Sequence, residues 1–162
     1  MLLAAMVMAA LAACKSHEPT GPSAMGRQVS GTWSGRVNLP STGLYGAEFV
    51  FSQSRSSVNA TWRVPNLNWT GTAAGTLNAQ GAFNGTLSIN APTVPQNPFF
   101  PATPCSDTGT VREFYPPFDP TFMTLGVELS GACRQLSGLL FEVNSTCRLV
   151  LLEGGVWGNS CQ

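Results

Sequence analysis

Five cysteines, one histidine and a thin scatter of carboxylates are the residues of this 162-residue chain that could do chemistry. Cys105, Cys133, Cys147 and Cys161 fall in the C-terminal part of the chain and Cys14 stands alone near the start. None of the spacings is C-x-x-C and no histidine lies near them, so zinc binding and thioredoxin-type exchange have no sequence basis. His17 is the only histidine. It sits in the polar segment ahead of the strand pattern, so Ser-His-Asp and Cys-His nucleophilic arrangements have no base in the domain, and histidine metal sites have no ligand there. Glu48, Glu113, Glu128, Glu142 and Glu153 are dispersed. A glycosidase needs two carboxylates facing one bond, and nothing selects such a pair. No glycine-rich phosphate loop opens a helix. The expectation is a protein that is not an enzyme, with no cofactor and no metal.

The cysteines then read as staples. An even set of four in an exported chain suggests two disulfides, with three possible connectivities. If the flanks of Asp119-Pro120 form a hairpin, Cys105 comes opposite Cys133, which leaves Cys147 for Cys161.

The polar residues that must surround these groups are mostly uncharged. Charged residues make up 10% of the chain, net charge is zero, and no basic patch is present to attract nucleic acid. From Val29 onward apolar and polar residues alternate with period two, the mark of half-buried strands. Trp33, Val37 and Leu39 alternate with Ser34, Arg36 and Asn38; Val58, Ala60, Trp62 and Val64 with Asn59, Thr61 and Arg63; Phe83, Leu87 and Ile89 with Asn84, Thr86 and Asn90. Met123, Leu125, Val127 and Leu129 continue the pattern, and apolar runs follow at 139–143 and 149–152. Turn signals punctuate it at Ser54-Arg55-Ser56, at Asn78-Ala79-Gln80-Gly81 and at Asn144-Ser145. No window carries a helical stripe. The pattern predicts an all-β fold, a single antiparallel meander of about eight strands closed or nearly closed into a barrel, with a β-sandwich as the alternative.

One hairpin gives a register. A turn near Gln80 sets Leu77 opposite Phe83 and Gly75 opposite Gly85. Gly71 and Ala73 continue that small-residue face, leaving room for a bulky ring from Trp33 or Trp62, or for a ligand. Candidate ligand-binding residues are therefore Trp33, Trp62 and Trp69. Phe99 and Phe100 join them, set in a proline-rich loop at 91–104 that is too long for a hairpin turn and suits either a binding loop or a barrel plug. Four N-x-S/T sequons, at Asn59, Asn68, Asn84 and Asn144, read as strand-face asparagines.

The N-terminus carries a resemblance. Residues 2–13 are uncharged and apolar, too short to span a bilayer, which takes about 20 residues, and they end in Leu11-Ala12-Ala13-Cys14. This is similar to the lipobox of bacterial lipoprotein signal peptides, although Met1-Leu2-Leu3 lacks the basic residue usual before the apolar run. The resemblance implies removal of 1–13 and acylation of Cys14 with diacylglycerol and palmitate. Segment 14–27 would then be a flexible tether and 28–162 the barrel domain. It also implies a cell-envelope location on the periplasmic side, and Lys15, not Asp, after the acylated residue implies the outer membrane where the organism has one. Gly31-Thr32-Trp33 resembles the G-x-W element of lipocalin-like and avidin-like barrels, which implies a small molecule held in the barrel. Two functions are expected from this: a membrane-anchored barrel that binds a small apolar ligand or is structural, or an interaction module such as an envelope assembly factor or hydrolase inhibitor. The partners are the membrane through the N-terminal lipid, and a small apolar ligand or an envelope protein; nucleic acid is not among them.

Overall fold

The computed structural model is described here for residues 27–39, 43–95, 103–114, 121–146, 148–152 and 156–160. Within them the strands run β1 (Gly31–Leu39), β2 (Gly43–Ser54), β3 (Ser57–Val64), β4 (Trp69–Leu77), β5 (Phe83–Ala91), β6 (Cys105–Glu113), β7 (Phe122–Glu128), β8 (Leu139–Ser145), β9 (Arg148–Leu152) and β10 (Val156–Ser160). Each of β1 to β7 pairs antiparallel with the next, and β8 returns to β1 with Trp33 opposite Ser145 and Asn38 opposite Leu140. The sheet is a closed eight-stranded barrel, not a sandwich. Closure pairs every strand on both sides, so no barrel edge is left to template aggregation.

Alternation produces it. On β3, Val58, Ala60, Trp62 and Val64 are buried while Ser57, Asn59, Thr61 and Arg63 are exposed. A slip of one residue would exchange the two sets, which is why the register is well specified. Turn chemistry fixes it further. Asn78 Oδ1 accepts hydrogen bonds from the backbone N–H of Gln80 and of Ala82, both at 2.9 Å, and Gly81 takes a φ of 79°. Asparagine and glycine are suited to those two tasks. Leu77 then pairs with Phe83 and Gly75 with Gly85, as the sequence predicts.

Two features depart from the simple pattern. Asn144 and Ser145 do not turn; they end β8, paired with Ser34 and Trp33 of β1. Asn144 is exposed on the outward face, while Ser145, half-buried, has the inward parity of Phe141 and Val143 at the very end of the strand. On β7, Thr124 and Gly126 belong to the outward set yet are buried along with Met123, Leu125 and Val127. The ring of Phe114 lies directly over Gly126.

The antiparallel order gives the barrel two distinct ends. The chain comes in at Arg27, so the entry end holds the start of β1, the β2–β3 and β4–β5 turns, the close of β6 and the last residue of β8. The far end holds Leu39, Trp69, Ala91, Cys105 and Leu139. The apolar run at 149–152 does not join the barrel. It forms β9 and pairs with β10 as a two-stranded sheet, from Val156 opposite Leu152 to Ser160 opposite Arg148.

Candidate functional site

The barrel interior is occupied by rings. Phe49 stacks on Phe51 with centroids 5.4 Å apart and on Trp62 at 6.1 Å. Phe141 meets Phe49 edge-on at 5.2 Å and Trp62 at 5.3 Å. Trp33 meets Phe51 edge-on at 5.8 Å. Such pairs add about 0.5–1.5 kcal/mol each beyond the area they bury. The indole N–H groups are satisfied inside: Trp33 Nε1 donates to the Val29 carbonyl at 2.9 Å and Trp62 Nε1 to the Ser88 carbonyl at 3.1 Å. Trp69 Nε1 donates to the Thr93 carbonyl.

The bare Cα of Gly71 makes space for one of these rings. A Cβ built there would lie 2.6 Å from Trp62 Cε2 and Nε1. The inward glycine therefore accommodates Trp62, one of the two occupants expected for that face. Gly75 and Gly85 instead sit against each other across the β4–β5 ladder.

Of the residues singled out in the sequence, Trp33, Trp62 and Trp69 all lie in the core. Phe99, Phe100, Cys14, Cys147 and Cys161 lie outside the described residues. Cys105 and Cys133 form a disulfide with Cα atoms 5.4 Å apart, the pairing expected from the β6–β7 register carried past Thr110 opposite Glu128. Asp107 braces it from below, its Oδ2 accepting the Cys133 N–H at 3.1 Å.

A second arrangement, at the entry end, is not visible in the sequence. The Arg27 guanidinium pairs with Glu113 at 2.6 Å, with side-chain exposures of 4% and 1%. It also donates to the Phe122 carbonyl, and its Cζ stands 5.9 Å from the Trp33 ring. Glu113 Oε2 accepts the Phe83 N–H at 2.9 Å. The pair thus ties the start of the barrel to β5, β6 and β7 and closes that end over Trp33. The strap 27–30 is fixed as well: Gln53 accepts the Val29 N–H at 2.7 Å, donates to the Arg27 carbonyl at 3.0 Å, and its own N–H reaches Ser30 Oγ. Parity could have signalled Glu113, which is two residues on from inward Val111; Arg27 had no such mark.

Among the described residues, grooves lie on the outer wall. Grooves of about 320, 450, 540 and 630 Å³ run over it, lined mostly by outward positions. The most enclosed, about 320 Å³, crosses β6, β7 and β8, with Gly126 in its floor and Phe114, Leu140, Arg112 and Glu128 around it. Phe114 is 66% exposed. Elsewhere on the wall the charges are paired, Arg36 with Glu142 at 2.6 Å and Arg63 with Glu48 at 2.5 Å. Such a groove offers an aromatic surface flanked by a cation and an anion. No three metal-ligating side chains come together among the described residues.

Comparison with protein-family models, with curated proteins and with solved structures finds no match to this chain.

Proposed function

We propose that this chain is an exported, lipid-anchored envelope protein whose barrel is a non-catalytic scaffold that recognises a partner protein through its outer wall. The observation that carries the reading is the interior packing. Ligand sites in barrels and clefts are roughly 300–1,000 Å³ of preformed space, whereas Trp33, Phe49, Phe51, Trp62 and Phe141 pack on one another across this interior. The entry end is closed over them by Arg27 and Glu113. What stays open to solvent is the outside, where Phe114, Arg112 and Glu128 surround the groove over β6 and β7. Aromatic and arginine side chains are the residue types that most often anchor protein interfaces. Anchoring rests on Leu11-Ala12-Ala13-Cys14, and an exported location is consistent with the Cys105–Cys133 disulfide.

Native mass spectrometry on the chain purified from envelopes tests both parts. The expected species begins at Cys14, carries acyl mass there, and holds no small molecule. A retained small molecule that leaves on denaturation would overturn the outer-wall reading in favour of an internal ligand. An unmodified Cys14 would overturn the anchor.

A further inference from the structure

Register decides which charges on the barrel wall are neutralised. The outer faces of β1 to β8 carry Arg36, Glu48, Arg63, Arg112, Glu128 and Glu142. Arg36 stands directly opposite Glu142 across β1 and β8, and Arg63 directly opposite Glu48 across β2 and β3. Both pairs close as salt bridges. Arg112 and Glu128 are placed otherwise. The β6–β7 register sets Gly126 opposite Arg112 and Thr110 opposite Glu128. Among the described residues neither charge is bonded to another side chain, and both are exposed. They are diagonal neighbours, about 7–8 Å apart.

The apolar part of the groove lies beside them. Arg112, Gly126, Leu140 and Asn38 form one row across β6, β7, β8 and β1. Gly126 is its low point, because a side chain there would meet the Phe114 ring that lies over it. The Phe114 N–H donates to the Thr124 carbonyl at 2.9 Å, which holds the backbone of Phe114 in the ladder while its ring stays mostly exposed. The result is an apolar trough with a cation at one end and an anion on its flank.

We propose that the occupant of this groove is an extended segment of the partner protein whose side chains on one face read acidic, apolar, basic. The proposal rests on the outer-wall reading and names what that wall takes hold of. Alternate side chains of an extended chain share a face, about 6.6 Å apart, and Gly126 and Glu128 have that same i, i+2 relation on β7. The apolar side chain sits on Phe114 and Leu140 over the glycine floor. The acidic one meets the Arg112 guanidinium, whose fork takes a carboxylate through two parallel hydrogen bonds. The basic one meets Glu128. Opposite charges at two points fix the direction and register of the segment, which is what interfacial electrostatics does best. A segment without them would cover both charges and leave them unpaired, so the groove discriminates against it.

Selection from a random heptapeptide library displayed on phage, with the full chain purified from envelopes as bait, tests the proposal. Enriched sequences are expected to carry an acidic and a basic residue at alternate positions about an apolar one. A synthetic peptide of the enriched sequence should bind about tenfold more weakly to Arg112→Glu and to Glu128→Arg, with circular dichroism showing both barrels intact. The double variant Arg112→Glu with Glu128→Arg should prefer the same peptide with its two charges exchanged, a reversal that a structural role for these residues would not produce. Enriched peptides that lack the charge pattern overturn the proposal. So do peptides that bind all three variants as they bind the native chain, and these leave recognition of a protein elsewhere on the wall standing. If no peptide is enriched and the native mass spectrum holds no small molecule, the peptide occupant alone is overturned. If no peptide is enriched and a small molecule is retained, the outer-wall reading falls with it.

Discussion

Trp33 has no exposed surface, caps Phe51 edge-on and donates to the carbonyl of Val29. Replacing it with alanine removes a large ring from a close-packed interior and leaves that carbonyl unsatisfied. Trp33→Ala is expected to cost about 3–5 kcal/mol, read as a lower denaturant midpoint at unchanged slope. The Arg27–Glu113 pair behaves differently because its energetics are asymmetric. Two buried charges that satisfy each other contribute little net stability, but one left alone is costly. Glu113→Ala is expected to destabilise by about 3–5 kcal/mol, while Arg27→Met with Glu113→Leu recovers most of that loss. A double-mutant cycle in urea, with Arg27→Met and Glu113→Leu made singly and together, measures it; a double-variant loss equal to the sum of the single losses would show that the pair is not coupled.

At the scale of strands, glycines decide where rings lie. A methyl on Gly71 would meet Trp62 at 2.6 Å and the Ser88 backbone oxygen at 2.0 Å, neither of which can yield without moving core or ladder. Gly71→Ala is expected to cost about 1–3 kcal/mol. The three atoms nearest a methyl on Gly126 all belong to Phe114, whose exposed ring can swing outward. Gly126→Ala should therefore cost less than Gly71→Ala, and thermal unfolding of the two variants side by side checks the order. The alternation that makes these strands was legible from end to end, and so were the Gly75–Gly85 and Cys105–Cys133 pairings, because each follows from period two and a turn position. The Arg27–Glu113 closure was not legible. Its halves are far apart in sequence, and Arg27 sits at the end of a polar segment that resembles a linker. Nor could alternation tell β9 from a barrel strand. Leu149–Leu152 is as apolar as any of them, and its exclusion is decided by β8 reaching β1 first, a long-range event with no local mark. The outer groove arises from the register of β6 against β7 and from one bare Cα, which composition does not encode.

For the molecule as a whole, the barrel is held by closure, an aromatic interior and one described cross-link. Cys105 and Cys133 are 28 residues apart, and cross-linking a loop of that size restricts the unfolded chain by about 3–4 kcal/mol in the loop-entropy picture. Cys105→Ser with Cys133→Ser should lower stability by about that amount without changing the strand signature in the far ultraviolet. A loss far below it would mean that Asp107, which holds the Cys133 N–H, keeps the loop in place unaided.

Closure also sets the order of events in time. Trp33 pairs with Ser145 and Asn38 with Leu140, so the seam joins the first barrel strand to the last. Until residue 145 has emerged from the ribosome or a translocation pore, β1 waits with a bare edge and the rings of β2 and β3 lack Phe141 above them. Contacts this distant in sequence form slowly, on the order of milliseconds to seconds for all-β domains. During that interval the chain is a partial sheet with an open side and an uncovered aromatic face, the kind of species that aggregates or is held by a chaperone. The vulnerable period of this protein's life is thus its birth: once the seam zips, the surface that endangered it is inside.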